Sequence, residues 1–329
     1  MRESAFPKPC LHGNVATMTQ TLTSPDGTPI SRYAFGTMQF GERASERDSA
    51  EMYEACRAAG INHFDTAHVY TSGKSEEILG NLIENHRDSL VIATKAGYTG
   101  GAGTENLRSQ FDLSRKRLKL DVVDILYLHR FDPNTSLQET MDFFVEQKSS
   151  GNIRYIGLSN FAAWQVVKAA WTGANAGISI DVFQPMYSLV KRQAEVEILP
   201  MCADLGILPA TYSPLGGGLL TGKYSGASGV GRLTEDHRYA ARYNVQWMHE
   251  TAAQIVEIAR EFDTHPATLA VAWAAKHAAN PSPILSAKNA TQLAPSLAAT
   301  SFTMENALYE RLTALTPTPA PATDRLEES

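Results

Sequence analysis

At 329 residues the chain has the length of two average domains, yet a closed α/β barrel commonly takes ~250 residues or more as one unit, and one such domain with loop insertions is expected. Hydrophobic residues make up 43% and charged residues 19%, the balance of a globular protein with a large core. Lys and Arg total 29 against 35 Asp and Glu, a net charge of −6, which excludes a global field for nucleic acid or anionic lipid and leaves phosphate binding to local groups.

From the start, Met1 to Cys10 carries charge without an apolar h-region, so no secretory signal is read there. Met18 offers an alternative start, and residues 1–17 are expected to be a disordered extension. Between Thr19 and Ile30, Ser24-Pro25-Asp26-Gly27 is a turn signal between two strand-like pieces: a hairpin suited to plug the bottom of a barrel. Arg32 to Met38 reads as a first strand, and Arg47 to Ala59 as a helix stopped by Gly60. The apolar run from Ile61 ends in Asp65, and Ser75 reads as the N-cap of a helix reaching His86.

Strand and helix then alternate. Strand 90–95 precedes a glycine-rich turn at 97–103 and a helix from Glu105 to Lys119, and strand 122–129 precedes a helix with Leu137, Met141, Phe144 and Val145 on one face. Asn152 to Gly157 is the fifth strand, Asp181 to Gln184 the sixth, Ile207 to Tyr212 the seventh and Pro283 to Leu285 the eighth. The ~70 residues between strands seven and eight exceed one crossover. Leu215 to Gln246 reads as a functional loop, Met248 to Phe262 as an extra helix, and the regular helix follows Pro266. Thr303 to Thr316 is a final outer helix, and 317–329 a mobile tail.

Parallel strands need crossover helices, and this chain supplies one each time, so the fold class is α/β: a (β/α)8 TIM barrel, residues 18–316, with an N-terminal β-hairpin and two extra helices. A doubly wound open sheet would want a Gly-x-Gly-x-x-Gly turn, which neither 97–103 nor 216–222 provides. Cys10, Cys56 and Cys202 form no pattern for a disulfide framework or zinc site, and a reducing cytoplasm fits best. No apolar run approaches the ~18 residues of a membrane span.

Three strand-like runs end in ionisable residues, Asp65, Lys95 and His129, and Tyr70 follows the first, which is where α/β barrels keep their chemistry. Reducing a carbonyl needs a proton on oxygen, and a tyrosine of pKa near 10 gives one near neutrality only with help. An ammonium stabilises the phenolate, and a carboxylate holds the ammonium. Taken singly, Asp65 at a strand end is most often a cap or turn residue, and Lys95 reads at least equally as a solvated lysine and His129 as a structural histidine.

In this order the four residues, with the signature Asp65-Thr66-Ala67-His68-Val69-Tyr70, resemble the aldo-keto reductase superfamily over about Tyr33 to Leu297. The resemblance implies that Tyr70 is the general acid, Lys95 tunes its pKa, Asp65 pairs with Lys95 and His129 orients the carbonyl. It implies that Ser159, Asn160 and Gln184 bind a nicotinamide carboxamide and Tyr212 stacks on the ring. It places the pyrophosphate on Ser213-Pro214-Leu215 and Lys223, with Arg232 in the same loop. Ser286 and Lys288 would meet a 2′-phosphate and Gln292 would lie near the adenine, so NADPH is expected in preference to NADH. Pro295-Ser296 depart from the Glu-Asn that many relatives place there.

The expected partner is a small aldehyde or ketone, entering a mouth to which Tyr33, Met38, Phe40, Tyr98 and Phe131 are candidates, with no metal, nucleic acid or membrane involved. Oligomeric state is not legible. A nucleotide-binding, redox-sensing subunit of a larger complex, as among the family's potassium-channel β subunits, is the alternative. A metal-dependent hydrolase would want clustered His or carboxylate ligands, and none is evident.

Overall fold

The structure, a computed structural model, describes residues 21–224, 229–325 and 327. The expected extension at 1–17 lies outside them. Eight parallel strands close into a barrel in sequence order: β1 (Ala34–Gly36), β2 (His63–Asp65), β3 (Val91–Ala96), β4 (Val123–Leu128), β5 (Ile153–Ser159), β6 (Val182–Gln184), β7 (Leu208–Thr211) and β8 (Ser282–Leu285). Helices α1 (Glu46–Ala58), α2 (Lys74–Ile83), α3 (Thr104–Leu118), α4 (Leu137–Ser149), α5 (Ala163–Asn175) and α6 (Ile198–Leu205) cross between the first seven strands. This is the expected (β/α)8 barrel.

Two apolar layers hold it. One lies between strands and helices, and includes Phe35, Phe64, Leu126, Phe183 and Trp273, all fully buried. The other fills the barrel and takes alternate strand positions, among them Ala34, Val91, Ala93, Ile125, Tyr127, Val182, Ala210 and Ile284. Period-two alternation is what a pleated strand imposes on a wall with two buried faces. Leu22 joins the inner layer from below. The chain before β1 turns there as expected: Thr23 bridges Pro29 antiparallel, and the Thr23 amide donates to the Tyr155 hydroxyl at 3.0 Å.

Between β7 and β8 lie α9 (Gln246–Glu261), the expected extra helix, and α10 (Pro266–Lys276), the regular crossover. α11 (Ala290–Leu297) follows β8 with Asn289 as its N-cap, and α12 (Asn306–Thr313) is the outer helix. Two short helices, α7 (Arg232–Glu235) and α8 (His237–Tyr243), occupy the stretch read as loop.

Ser75 is a correction. It sits inside α2, where its hydroxyl donates to Thr37 O at 2.9 Å and lies 2.9 Å from Thr66 Oγ1. The N-cap is Gly73 at φ 97, because the Arg117 guanidinium fills the space a Cβ would need. Ser75 thereby ties α2 to the ends of β1 and β2 rather than closing its own helix.

Candidate active site

Asp65 is the last residue of β2 and is 2% exposed; Lys95, on β3, is fully buried. Tyr70 opens a single 3-10 turn, and the residues after it, Thr71 at φ 47 and Ser72 at φ 56, hold left-handed backbone that side chains normally avoid. Strain of that kind persists where the surroundings over-determine it. Here Thr71 Oγ1 accepts from the Ser75 amide at 2.9 Å, so α2 braces the turn that presents the phenol.

Lys95 Nζ donates to Asp65 Oδ1, to Thr66 O at 2.8 Å and to the Tyr70 hydroxyl at 3.4 Å. All three ammonium protons therefore have acceptors, and one faces the phenol. Burial works against charge on Lys95, but Asp65 and Tyr70 outweigh it and leave the ammonium above its ordinary value. Burial also pushes the Tyr70 phenol up, against the pull of Lys95, so the hydroxyl keeps its proton at neutral pH. His129, one residue past β4, stands nearly perpendicular to the Tyr70 ring, with a centroid spacing of 5.9 Å and an interplanar angle of 83°. Burial first, then Lys95 and Arg130, hold it well below the usual histidine range, so the imidazole is neutral.

A second set of side chains runs from these four. Gln184, at the end of β6, donates to Asp65 Oδ2 at 2.9 Å, so the carboxylate is gripped from both sides. Asn160, at φ 56, donates to His129 O at 3.0 Å and to Ser159 Oγ at 3.1 Å, and its Oδ1 accepts from the Tyr212 hydroxyl at 2.8 Å. Ser159 Oγ donates to Gln184 O at 3.1 Å. Thus Asp65, Tyr70, Lys95, His129, Ser159, Asn160, Gln184 and Tyr212 form one bonded patch at the carboxyl ends of β2 to β7.

The other sequence candidates lie around it. Ser213 holds φ 62, Pro214 is buried, and Leu215 O accepts from the Gly218 and Leu220 amides at 3.0 and 3.2 Å. Lys223 is exposed, its ammonium 4.9 Å from the Tyr224 ring centroid. Arg232 opens α7 and donates to the Tyr239 hydroxyl at 3.3 Å. Gln292 Oε1 accepts from the Lys288 amide at 2.9 Å, which commits that side chain to the start of α11. Ser286 Oγ is buried without a protein partner among the described residues.

Two mouth candidates are not at the mouth. Tyr33 precedes β1, at the opposite end, and donates to Ala299 O at 3.1 Å, while Phe40 is fully buried against Phe35. Tyr98 is at the site, 4.8 Å from the His129 ring, and Phe131 packs on Phe161 and Trp164. Sequence reading missed Tyr127, whose ring lies under Lys95 at 5.7 Å and is admitted because β5 places Gly157 against it, a Cβ there falling 2.3 Å from the ring. It also missed α8, for which Asp236 as N-cap was the available signal.

The profile of the aldo/keto reductase family matches residues 32–316. The chain belongs to that family. It is 29% identical over 321 residues to an uncharacterized oxidoreductase of Bacillus subtilis (strain 168), covering 92% of this chain and 97% of that protein. It is 38% identical over 195 residues to aflatoxin B1 aldehyde reductase member 2 of Rattus norvegicus, covering 57% of this chain and 53% of the rat protein, about half of each. It is 33% identical over 277 residues to a probable voltage-gated potassium channel subunit beta of Oryza sativa subsp. japonica, covering 76% and 81%.

Aldo/keto reductases are NAD(P)H-dependent oxidoreductases acting on small carbonyl compounds, and the residues here fit such a cofactor. An orphaned Ser286 hydroxyl, the exposed Lys223 and Lys288, and a barrel mouth lined by amide and hydroxyl groups suit a phosphate-bearing nucleotide. Among the described residues no cluster of metal-ligating side chains occurs, and no helix is long and apolar enough to cross a membrane.

Proposed function

We propose that the protein reduces an aldehyde or ketone to an alcohol, with NADPH as preferred donor over NADH and Tyr70 as the proton donor. The observation that carries the reading is the Tyr70 hydroxyl 3.4 Å from a fully buried lysine ammonium that Asp65 holds in place. Bound NADPH supplies the hydride to the carbonyl carbon. Tyr70 gives its proton to the carbonyl oxygen, and the phenolate that forms meets the Lys95 ammonium without rearrangement. Neutral His129 offers a ring N–H to the same oxygen, and Asn160 steadies the His129 backbone. Because Gln184 is bonded to Asp65, its amide links the carboxamide subsite of Ser159 and Asn160 to the acid.

Ser286 and Lys288 support the preference for NADPH, as a hydroxyl without a protein partner and an exposed ammonium near the start of α11, where a helix favours phosphate. The buried free thiols Cys56 and Cys202 suit a reducing cytoplasm.

The test is NADPH oxidation with a panel of aldehydes and ketones. Tyr70→Phe is expected to lower kcat by about a hundredfold or more while NADPH still quenches protein fluorescence. Full activity in that variant sinks the assignment. The rice relative named as a channel subunit favours a second reading, a nucleotide-binding sensor. Tight NADPH binding with no turnover of any carbonyl would select it.

A further inference from the structure

The turn that presents Tyr70 is gripped on both sides by one side chain from another helix. Arg117, in the last turn of α3, donates through Nη1 to His68 O and to Glu76 Oε2, each at 3.2 Å. The same guanidinium occupies the space beside Gly73 that a Cβ would need. His68 stands two residues before Tyr70 and Gly73 three after it, so the guanidinium spans the segment that carries the phenol. Within that segment Thr71, Ser72 and Gly73 are three consecutive residues with left-handed backbone, at φ 47, 56 and 97. For Thr and Ser such a run is costly, and it stays in place only where the surroundings leave it no alternative.

Glu76 carries the grip inward. It is fully buried in the first turn of α2, where Oε2 pairs with Arg117 and Oε1 accepts from Thr94 Oγ1 at 2.6 Å. Thr94 immediately precedes Lys95 on β3, and the His68 amide donates to Lys95 O at 3.0 Å. One carboxylate therefore joins the strand that carries the ammonium to the turn that carries the phenol, whose two polar atoms lie 3.4 Å apart.

Packing alone does not call for this ion pair. α2 and α3 already meet where Gly80 lies against the backbone of Arg117 and Leu118, too close for a Cβ. Replacing a buried ion pair by well-packed groups of similar volume often leaves stability unchanged or higher. What the guanidinium adds is a rigid set of donors that fixes His68 O and Glu76 relative to each other.

We propose that Arg117 and Glu76 are positioning residues for proton transfer: they hold the Tyr70 hydroxyl within reach of Lys95, and without them the turn relaxes and carries the phenol away from the ammonium. Neither touches the reacting atoms. The proposal rests on the reading of Tyr70 as the acid.

Steady-state kinetics at saturating NADPH test it. Arg117→Lys keeps a charge beside Glu76 but cannot fix both acceptors in one geometry. It is expected to lower kcat by about tenfold or more, with the carbonyl KM and the NADPH dissociation constant within about twofold of the parent. Arg117→Met combined with Glu76→Gln leaves no buried ion unpaired, should show the same loss, and serves if the lysine variant does not fold. The deciding measurement is a double-mutant cycle, because an effect that passes through the phenol disappears once the phenol is gone. In the Tyr70→Phe background Arg117→Lys should leave the residual rate nearly unchanged. An unaltered kcat in the folded variants, a loss carried by KM or by NADPH binding, an equal loss in both backgrounds, or failure of both variants to fold would each overturn the proposal. Full turnover in Tyr70→Phe alone would instead overturn the catalytic reading, and this one with it.

Discussion

His63 lies on the inner face of β2, two residues before Asp65, fully buried and with neither ring nitrogen bonded to protein among the described residues. Burial, aided by Lys95 and opposed by Asp65, lowers its pKa from 6.5 to about 4. The unfolded chain binds a proton at about 6.5 and the folded chain resists it down to about 4, so stability falls as pH drops through that window. The loss amounts to about 3 kcal/mol from this group alone, since one pKa unit is worth ~1.4 kcal/mol. Urea midpoints measured between pH 7 and pH 4 should show it, and His63→Phe should flatten the slope; an unchanged slope would remove His63 as the cause. Asp65, Lys95 and His129 were legible because each ends an apolar run, and Tyr70 because it completes the signature from Asp65 that resembles the family. Tyr127 was not, because within the run Val123-Asp124-Ile125-Leu126-Tyr127-Leu128 a phenol reads as core, and only strand register with Gly157 sets its ring beneath Lys95.

At the scale of elements, the loop after β1 meets the long β7 insertion across the barrel mouth. Arg43 and Glu235 form an ion pair at 2.9 Å, with the two side chains 41% and 42% exposed. Exposed pairs contribute about 0–1 kcal/mol, so this one trims the opening of α7 rather than locking it. If α7 moves aside when nucleotide leaves, Arg43→Ala should speed NADP+ release by no more than about fivefold, and salt should reduce the difference between variant and parent. A stopped-flow release rate identical in both proteins at low salt would show that the Arg43–Glu235 pair does not gate the cofactor. α9 and α10 were readable from apolar spacing and from Pro266 at a helix start. α7 and α8 were not, because they are short and their surroundings, glycine-rich and polar, carry the composition of a loop.

For the whole molecule, the barrel is closed on its outside by α12 and the chain just after it. Trp273 Nε1 donates to Thr313 Oγ1 at 2.8 Å, Arg192 donates to Thr313 O and Thr316 Oγ1 at 3.2 and 3.0 Å, and Thr251 Oγ1 donates to Leu315 O at 3.1 Å. Leu308 and Leu312 are buried beside them. From these contacts we propose that the folding unit ends at Thr316. A chain ending at Thr316 should melt and turn over like the full one. A chain ending at Glu305 should lose several kcal/mol, since burying a leucine is worth roughly 1.5–3 kcal/mol. Equal melting of all three chains would move the boundary inward.

The order of strands and helices, the barrel they close and the types of side chain at their carboxyl ends were determined by sequence alone, because hydrophobic period and crossover length are local properties. Which of those side chains meet was decided by tertiary structure. Gln184 grips Asp65 from 119 positions away, Tyr212 reaches Asn160 across 52, and Ser75 leaves its own helix end for Thr37. Such bonds depend on register and tilt around a closed sheet, which no segment of the chain encodes by itself.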